Sequence, residues 1–232
     1  MTRNPYLWPD IRDGIRDVAA PAIAAIPIGL LFGAVAVTKG LSALEVALMS
    51  ALVFAGGAQF AAIEIWSYPV PIAALAFSTL LINLRHVLMG ASLARKVAFG
   101  RGARLASFAV MADENWALAE RRALQRPVSL AYWAGMGLVF WLNWVVWSTL
   151  GALIGAAMGP PERFGADFAF TALFIGLIAT FVTGRGTLLV IAASGLTAAL
   201  VHRFVGAPWH VAAGALAGIA AAYLAAAPED VP

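Results

Sequence analysis

Val18 to Thr38 reads VAAPAIAAIPIGLLFGAVAVT, twenty-one residues without a charge. As a helix this run rises about 30 Å, the thickness of a bilayer's hydrocarbon core. The same character returns in Leu44 to Trp66, Ile72 to Leu93, Val128 to Met158, Phe168 to Thr183, Thr187 to Val201 and Val211 to Ala227. Hydrophobic residues make up 62% of the 232 and charged residues 12%, about half the charged share of a soluble domain. The runs are continuously apolar rather than alternating, which selects helices over a membrane barrel. The expectation is an all-α, polytopic integral membrane bundle of about 7–8 hydrophobic helices, some broken or re-entrant. Its parts are a polar N-terminal segment (1–17), a single transmembrane domain (18–227) and a short tail (228–232).

The first seventeen residues carry Asp10, Arg12, Asp13, Arg16 and Asp17 and no apolar stretch, so the first run reads as a true span rather than a cleaved signal. The chain has no cysteine, which removes disulfides, thiolate metal sites and a Cys nucleophile. His-Glu-x-x-His, Gly-x-Ser-x-Gly and P-loop patterns are all missing, so the chain reads as no enzyme. Lys and Arg lie in short loops, where they set topology rather than bind nucleic acid.

That charge pattern poses a puzzle. The stretches near Arg12 and Arg16, from Arg95 to Arg104, and from Arg121 to Arg126 all look cytoplasmic. Three complete crossings between Arg16 and Arg95 would put the second stretch outside. Gly56-Gly57, inside the second run, is the expected break, because glycine accepts the backbone angles of a broken or re-entrant helix. Ala103 to Ala119 is short and holds Asp113, Glu114 and Asn115; span, re-entrant segment and surface helix all remain open for it. Gly29-Leu-Leu-Phe-Gly33 is echoed by Gly151-Ala-Leu-Ile-Gly155, either a trace of duplication or a coincidence in a Gly- and Ala-rich chain.

Polar groups at membrane depth are candidates for function. Thr79, Asn83, His86 and Gly90, spaced by four, three and four, form one stripe on a helix, with Arg85 on another face. The stripe either lines a solute path or bonds to a neighbouring helix. Arg85 either holds a carboxylate or reaches for the basic stretch beyond Leu93. A break at Gly56 and Gly57 would offer free amides to an anion, with Gln59 alongside. Asp113 and Glu114 are candidates for a coupling proton, or ordinary loop residues. Glu64, near Trp66, reads as an interface residue, and Asn143, among Trp141, Trp144 and Trp147, as a packing residue.

PAIAAIPIGLLFG (21–33), MSALVFAGGAQF (49–60), Asn83-Leu84-Arg85-His86, Asp113-Glu114 and DFAFTALF (167–174) together resemble the AzlC family of branched-chain amino acid permease large subunits. The resemblance implies a secondary exporter of branched-chain or related small hydrophobic amino acids, multi-pass in a bacterial inner membrane. It also implies a separate, small AzlD-type membrane subunit and no cofactor. Mapped on these residues, Gly56, Gly57 and Gln59 take the substrate's charged groups, with Arg85 a further partner for its carboxylate, Thr79, Asn83 and His86 line the path, and Asp113, with Glu114 beside it, or His86 couples a proton. Gly57 departs from the family pattern, in which another small residue is expected.

Overall fold

The computed structural model describes residues 7–158, 175, 178, 179, 182, 184–206 and 209–225. The Phe168 to Thr183 run and the DFAFTALF element fall outside them, isolated positions apart. Nine helices occur among the described residues: α1 (Leu7–Thr38), α2 (Ala43–Leu52), α3 (Gly56–Glu64), α4 (Ile72–Leu93), α5 (Arg101–Phe108), α6 (Asp113–Ala123), α7 (Leu130–Met158), α8 (Arg185–Phe204) and α9 (Trp209–Ala225). Four of them, α1, α4, α7 and α8, are long and apolar enough to cross a membrane. Within the Val128 to Met158 run, Leu130–Met158 is one long helix. The charged N-terminal residues from Asp10 to Asp17 form the first turns of α1.

Contacts divide the chain into two compact units, Met1–Ile63 with Asn83–Ala166 and Glu64–Ile82 with Asp167–Pro232. The first unit is built on α1 and α7, which run parallel. Their seam is glycine on backbone: a methyl placed on Gly14 would strike the Tyr132 carbonyl, on Gly33 the Ser148 carbonyl, on Gly135 the Ile11 carbonyl and on Gly151 the Leu30 carbonyl. The relation is reciprocal, since each glycine faces the carbonyl three residues before its counterpart. Small residues bring helices to this distance in a membrane, where dispersion rather than water drives association. The two halves of the Gly-x-x-x-Gly echo are thus the two sides of one contact.

The second apolar run is broken, and it turns back. Residues 53–55 leave the helix, slightly ahead of the expected glycine pair, and Gly56 opens α3. Ser50 and Gln59 nevertheless share a hydrogen bond of 3.2 Å, whereas nine residues of straight helix would separate them by about 13 Å. Along α7, Ser50 meets Ser148 and Phe54 meets Phe140, after which Gln59 lies at Trp144. The chain descends on α2 and climbs on α3. Ser42 and Glu45 cap the entry of α2 reciprocally, and the indole of Trp141 donates to the Ala51 carbonyl at its end, satisfying a carbonyl that the break frees.

The weak Ala103 to Ala119 window is a second such hairpin. Moving along α5, Arg104 bonds Phe99 O, Phe108 packs on Gly90, and Met111 reaches His86. Returning on α6, Trp116 and Glu120 both bond Ser92, and Glu120 pairs with Lys96. A bridge between Val97 and Val128 closes the base.

These hairpins resolve the charge puzzle. Arg122 and Arg126 pair with Asp10 and Asp13 at the start of α1, and Lys96 pairs with Glu120. All three basic stretches therefore share one end of the first unit. The α2–α3 hairpin turns back within the first unit, so it does not carry the chain to the opposite end.

In the second unit, α8 and α9 pack through Gly214 and Gly218 against Ser194. Phe77 stacks obliquely on Trp209 at 5.3 Å, and His202 meets His210 edge-on at 4.9 Å.

Candidate functional site

Two short hairpins enter the first unit from opposite ends. The ten residues of α2 reach in about 15 Å, and the eight of α5 about 12 Å, so their tips meet within a core of about 30 Å. Arg85 stands where they meet. Its Nη1 pairs with Asp113 Oδ2 at 2.7 Å at the tip of α5–α6, while a methyl on Gly57, at the tip of α2–α3, would lie 3.5 Å from Nη2. The Nε–H is buried with no partner among the described residues. The guanidinium is thus only partly satisfied, 39% exposed as a side chain, and faces the amino-terminal turn of α3, whose amides favour an anion.

His86, one residue on, donates through Nε2 to the Met111 carbonyl at 3.2 Å. Since a carbonyl only accepts, the ring proton sits on Nε2. The α5–α6 tip is shaped from within by Asn115, fully buried. Its Oδ1 accepts from Ala112 N at 2.8 Å and its Nδ2 donates to Val110 O at 2.6 Å. Glu114 follows Asp113 in the first turn of α6, and both are exposed.

The α2–α3 tip is shaped by Gln59, also fully buried. Its Nε2 donates to Ser50 Oγ, its Oε1 accepts from Trp144 Nε1 at 2.8 Å, and Ser148 Oγ donates to Ser50 Oγ at 2.8 Å. Gly56 packs on the Trp144 ring, 3.2 Å from a would-be methyl.

Of the residues singled out from the sequence, Gly57, Arg85, His86 and Asp113 converge, with Glu114 adjoining. Gln59 and Gly56 lie behind the α3 tip, against Trp144. Asn83 is half-buried, its Oδ1 unpartnered among the described residues. Thr79 lies in the second unit, on the first half of α4. Glu64 ends α3 in an exposed position, and Asn143 Nδ2 donates to the Ala22 carbonyl at 3.0 Å, an interhelical bond between α7 and α1. Sequence reasoning missed Ser50, Ser148 and Asn115 as shapers of the tips. The signal available was the position of Asn115 three residues beyond Ala112, where a side chain can reach back to a free amide.

The family described as AzlC protein matches residues 21–158, more than half of the chain and all of both hairpins. The chain belongs to the AzlC family. Among its relatives, an uncharacterized membrane protein of Archaeoglobus fulgidus is 31% identical over 165 residues, covering 70% of this chain and 72% of that protein. Inner membrane protein YgaZ of Escherichia coli is 27% identical over 222 residues, covering 92% and 88%. The branched-chain amino acid transport protein AzlC of Bacillus subtilis is 28% identical over 179 residues, covering 75% and 69%. No solved structure matches the chain. This AzlC-family chain is accordingly a multi-pass membrane protein of a transporter family, and both hairpins, Arg85 and the Gly33–Gly151 part of the helix seam fall inside the matched region.

Proposed function

We propose that this chain exports branched-chain or related small hydrophobic amino acids across a bacterial inner membrane, as the large subunit beside a small AzlD-type membrane protein. The observation that carries the reading is Arg85, an incompletely paired guanidinium between the tips of two opposed re-entrant hairpins. An arginine at that depth is costly unless it serves a polar solute, and its flat fork suits a carboxylate. The amides of α3 beside Gly57 add to the same anionic preference. For the aliphatic end, an apolar groove of about 400 Å3 runs beside His86 past Val87, Gly90 and Phe108.

In this reading Arg85 holds the substrate carboxylate, Asn83 and His86 supply hydrogen bonds along the path, and each hairpin closes the site from one side of the membrane. Asp113, with Glu114 beside it, carries the coupling proton. The transport step breaks no covalent bond, so the chain acts by binding and alternating access rather than as an enzyme.

The test is efflux of labelled leucine, isoleucine and valine from preloaded cells, with and without the small subunit. Arg85→Ala and Arg85→Lys should both abolish efflux, because an ammonium cannot reproduce the two-pronged fork. Efflux by Arg85→Ala equal to the native chain, at matched membrane insertion, would sink the reading.

A further inference from the structure

We infer that Asp113 is a built-in stand-in for the substrate's carboxylate. It occupies Arg85 when the site is empty, and its displacement by substrate frees the tip of the α5–α6 hairpin. The inference rests on the reading of Arg85 as carboxylate anchor and adds to it a competitor and a release step.

Among the described residues two polar contacts, both given above, tie the tip to α4, Asp113 to Arg85 and the Met111 carbonyl to His86, beside the packing of Phe108 on Gly90. Neighbours on α4 therefore hold residues two apart on the hairpin. The first tie is the charged one, and it is accessible, with side chains 39% and 49% exposed. A half-exposed pair is weak. The arginine meanwhile keeps its Nε–H unpartnered among the described residues, and Nη2 faces the open side of Gly57. A free carboxylate can engage two donors of the fork at once, so it outcompetes the single-pronged Asp113.

Once Asp113 is displaced, the His86–Met111 hydrogen bond is the polar tie left between the tip and α4 among the described residues, beside the packing of Phe108 on Gly90. The tip does not unravel, because Asn115 ties Ala112 and Val110 to itself rather than to α4. It moves as a preformed unit. Access from the cytoplasmic end is then opened by the same event that binds substrate, which makes occupancy and opening one equilibrium.

The chain has no cysteine, so a single Ala112→Cys in the full chain reports the tip by its rate of labelling with a membrane-impermeant maleimide in inside-out vesicles. L-Leucine should raise that rate at least about threefold, and leucinamide, which lacks the carboxylate, should not. Asp113→Asn should label fast without leucine and bind leucine about fivefold more tightly, since the competitor is gone. Weaker leucine binding by Asp113→Asn, or none of the expected tightening, overturns the inference: the aspartate is then a substrate ligand or a bystander. A labelling rate in the native background that ignores leucine also overturns it. These outcomes leave the anchor role of Arg85 standing; undiminished leucine binding by Arg85→Ala is the separate result that removes the reading beneath.

Discussion

Ser50 and Gln59 are joined by a hydrogen bond of 3.2 Å across a break in what reads as one apolar run. The bond lies in a buried cluster with Trp144 and Ser148, so each group depends on the others for its partner. Removing Gln59 orphans the Trp144 N–H and a Ser50 bond together. Gln59→Ala should destabilise the first unit by about 2–4 kcal/mol. The check is the melting temperature in detergent by size-exclusion fluorescence. An unchanged melting temperature with lost leucine binding would instead make Gln59 a ligand rather than a support.

The glycines of the α1–α7 seam divide cleanly from those elsewhere. Gly33→Ala and Gly151→Ala put a methyl into partner backbone, which cannot swing aside, and should leave little monodisperse protein. Gly195→Ala meets nothing within 4 Å and lies inside α8. It should be neutral to stabilising by about 0.5–1 kcal/mol through helix propensity alone. Expression and monodispersity of the three variants, side by side, decide the matter.

Arg122 is the hub of the ion cluster at the start of α1. Its side chain is 9% exposed, pairs with Asp10 at 2.6 Å and Asp13 at 3.2 Å, and stacks 3.9 Å from the centre of the Tyr132 ring. Tyr132 in turn donates to Asp17 at 2.8 Å. Arg122→Gln leaves the part-buried Asp10 carboxylate without its close cation, while Asp13 keeps Arg126 at 2.7 Å, and should cost about 3 kcal/mol. Adding Asp10→Asn removes the stranded charge and should recover most of the loss in melting temperature. Failure of that rescue would show that the arginine acts through its packing on Tyr132.

The two hairpins fix a topology that differs from a count of apolar runs. Single cysteines at Arg12, Ala98 and Gln125 should label from the same membrane face, and one at Gly40 from the other. Comparison of intact cells with inside-out vesicles gives the answer. Labelling of Ala98→Cys with Gly40→Cys would mean that α2–α3 crosses the membrane.

The helices were legible from hydropathy because each long run is a bilayer thick, and the first break was legible from Gly56-Gly57. The actual break falls at residues 53–55, where Trp141, ninety residues on, takes the freed Ala51 carbonyl and the Ser50–Gln59 side-chain bond spans the turn. The second hairpin was ambiguous because its two helices, eight and eleven residues, are each too short to register as a span. Arg85 was legible as costly, but its partner was not: nothing in residues 85 and 113 taken alone places them 2.7 Å apart. The Gly-x-x-x-Gly echo was visible as a repeat, whereas its meaning as a contact needed the parallel pairing of α1 and α7.

That pairing also limits what can move. Two helices held backbone to backbone have no rotamers to exchange along their seam, so any sliding step would drive a carbonyl into an α-carbon. α1 and α7 are therefore expected to move as one rigid pair, with any rearrangement falling to the elements attached to them through side chains.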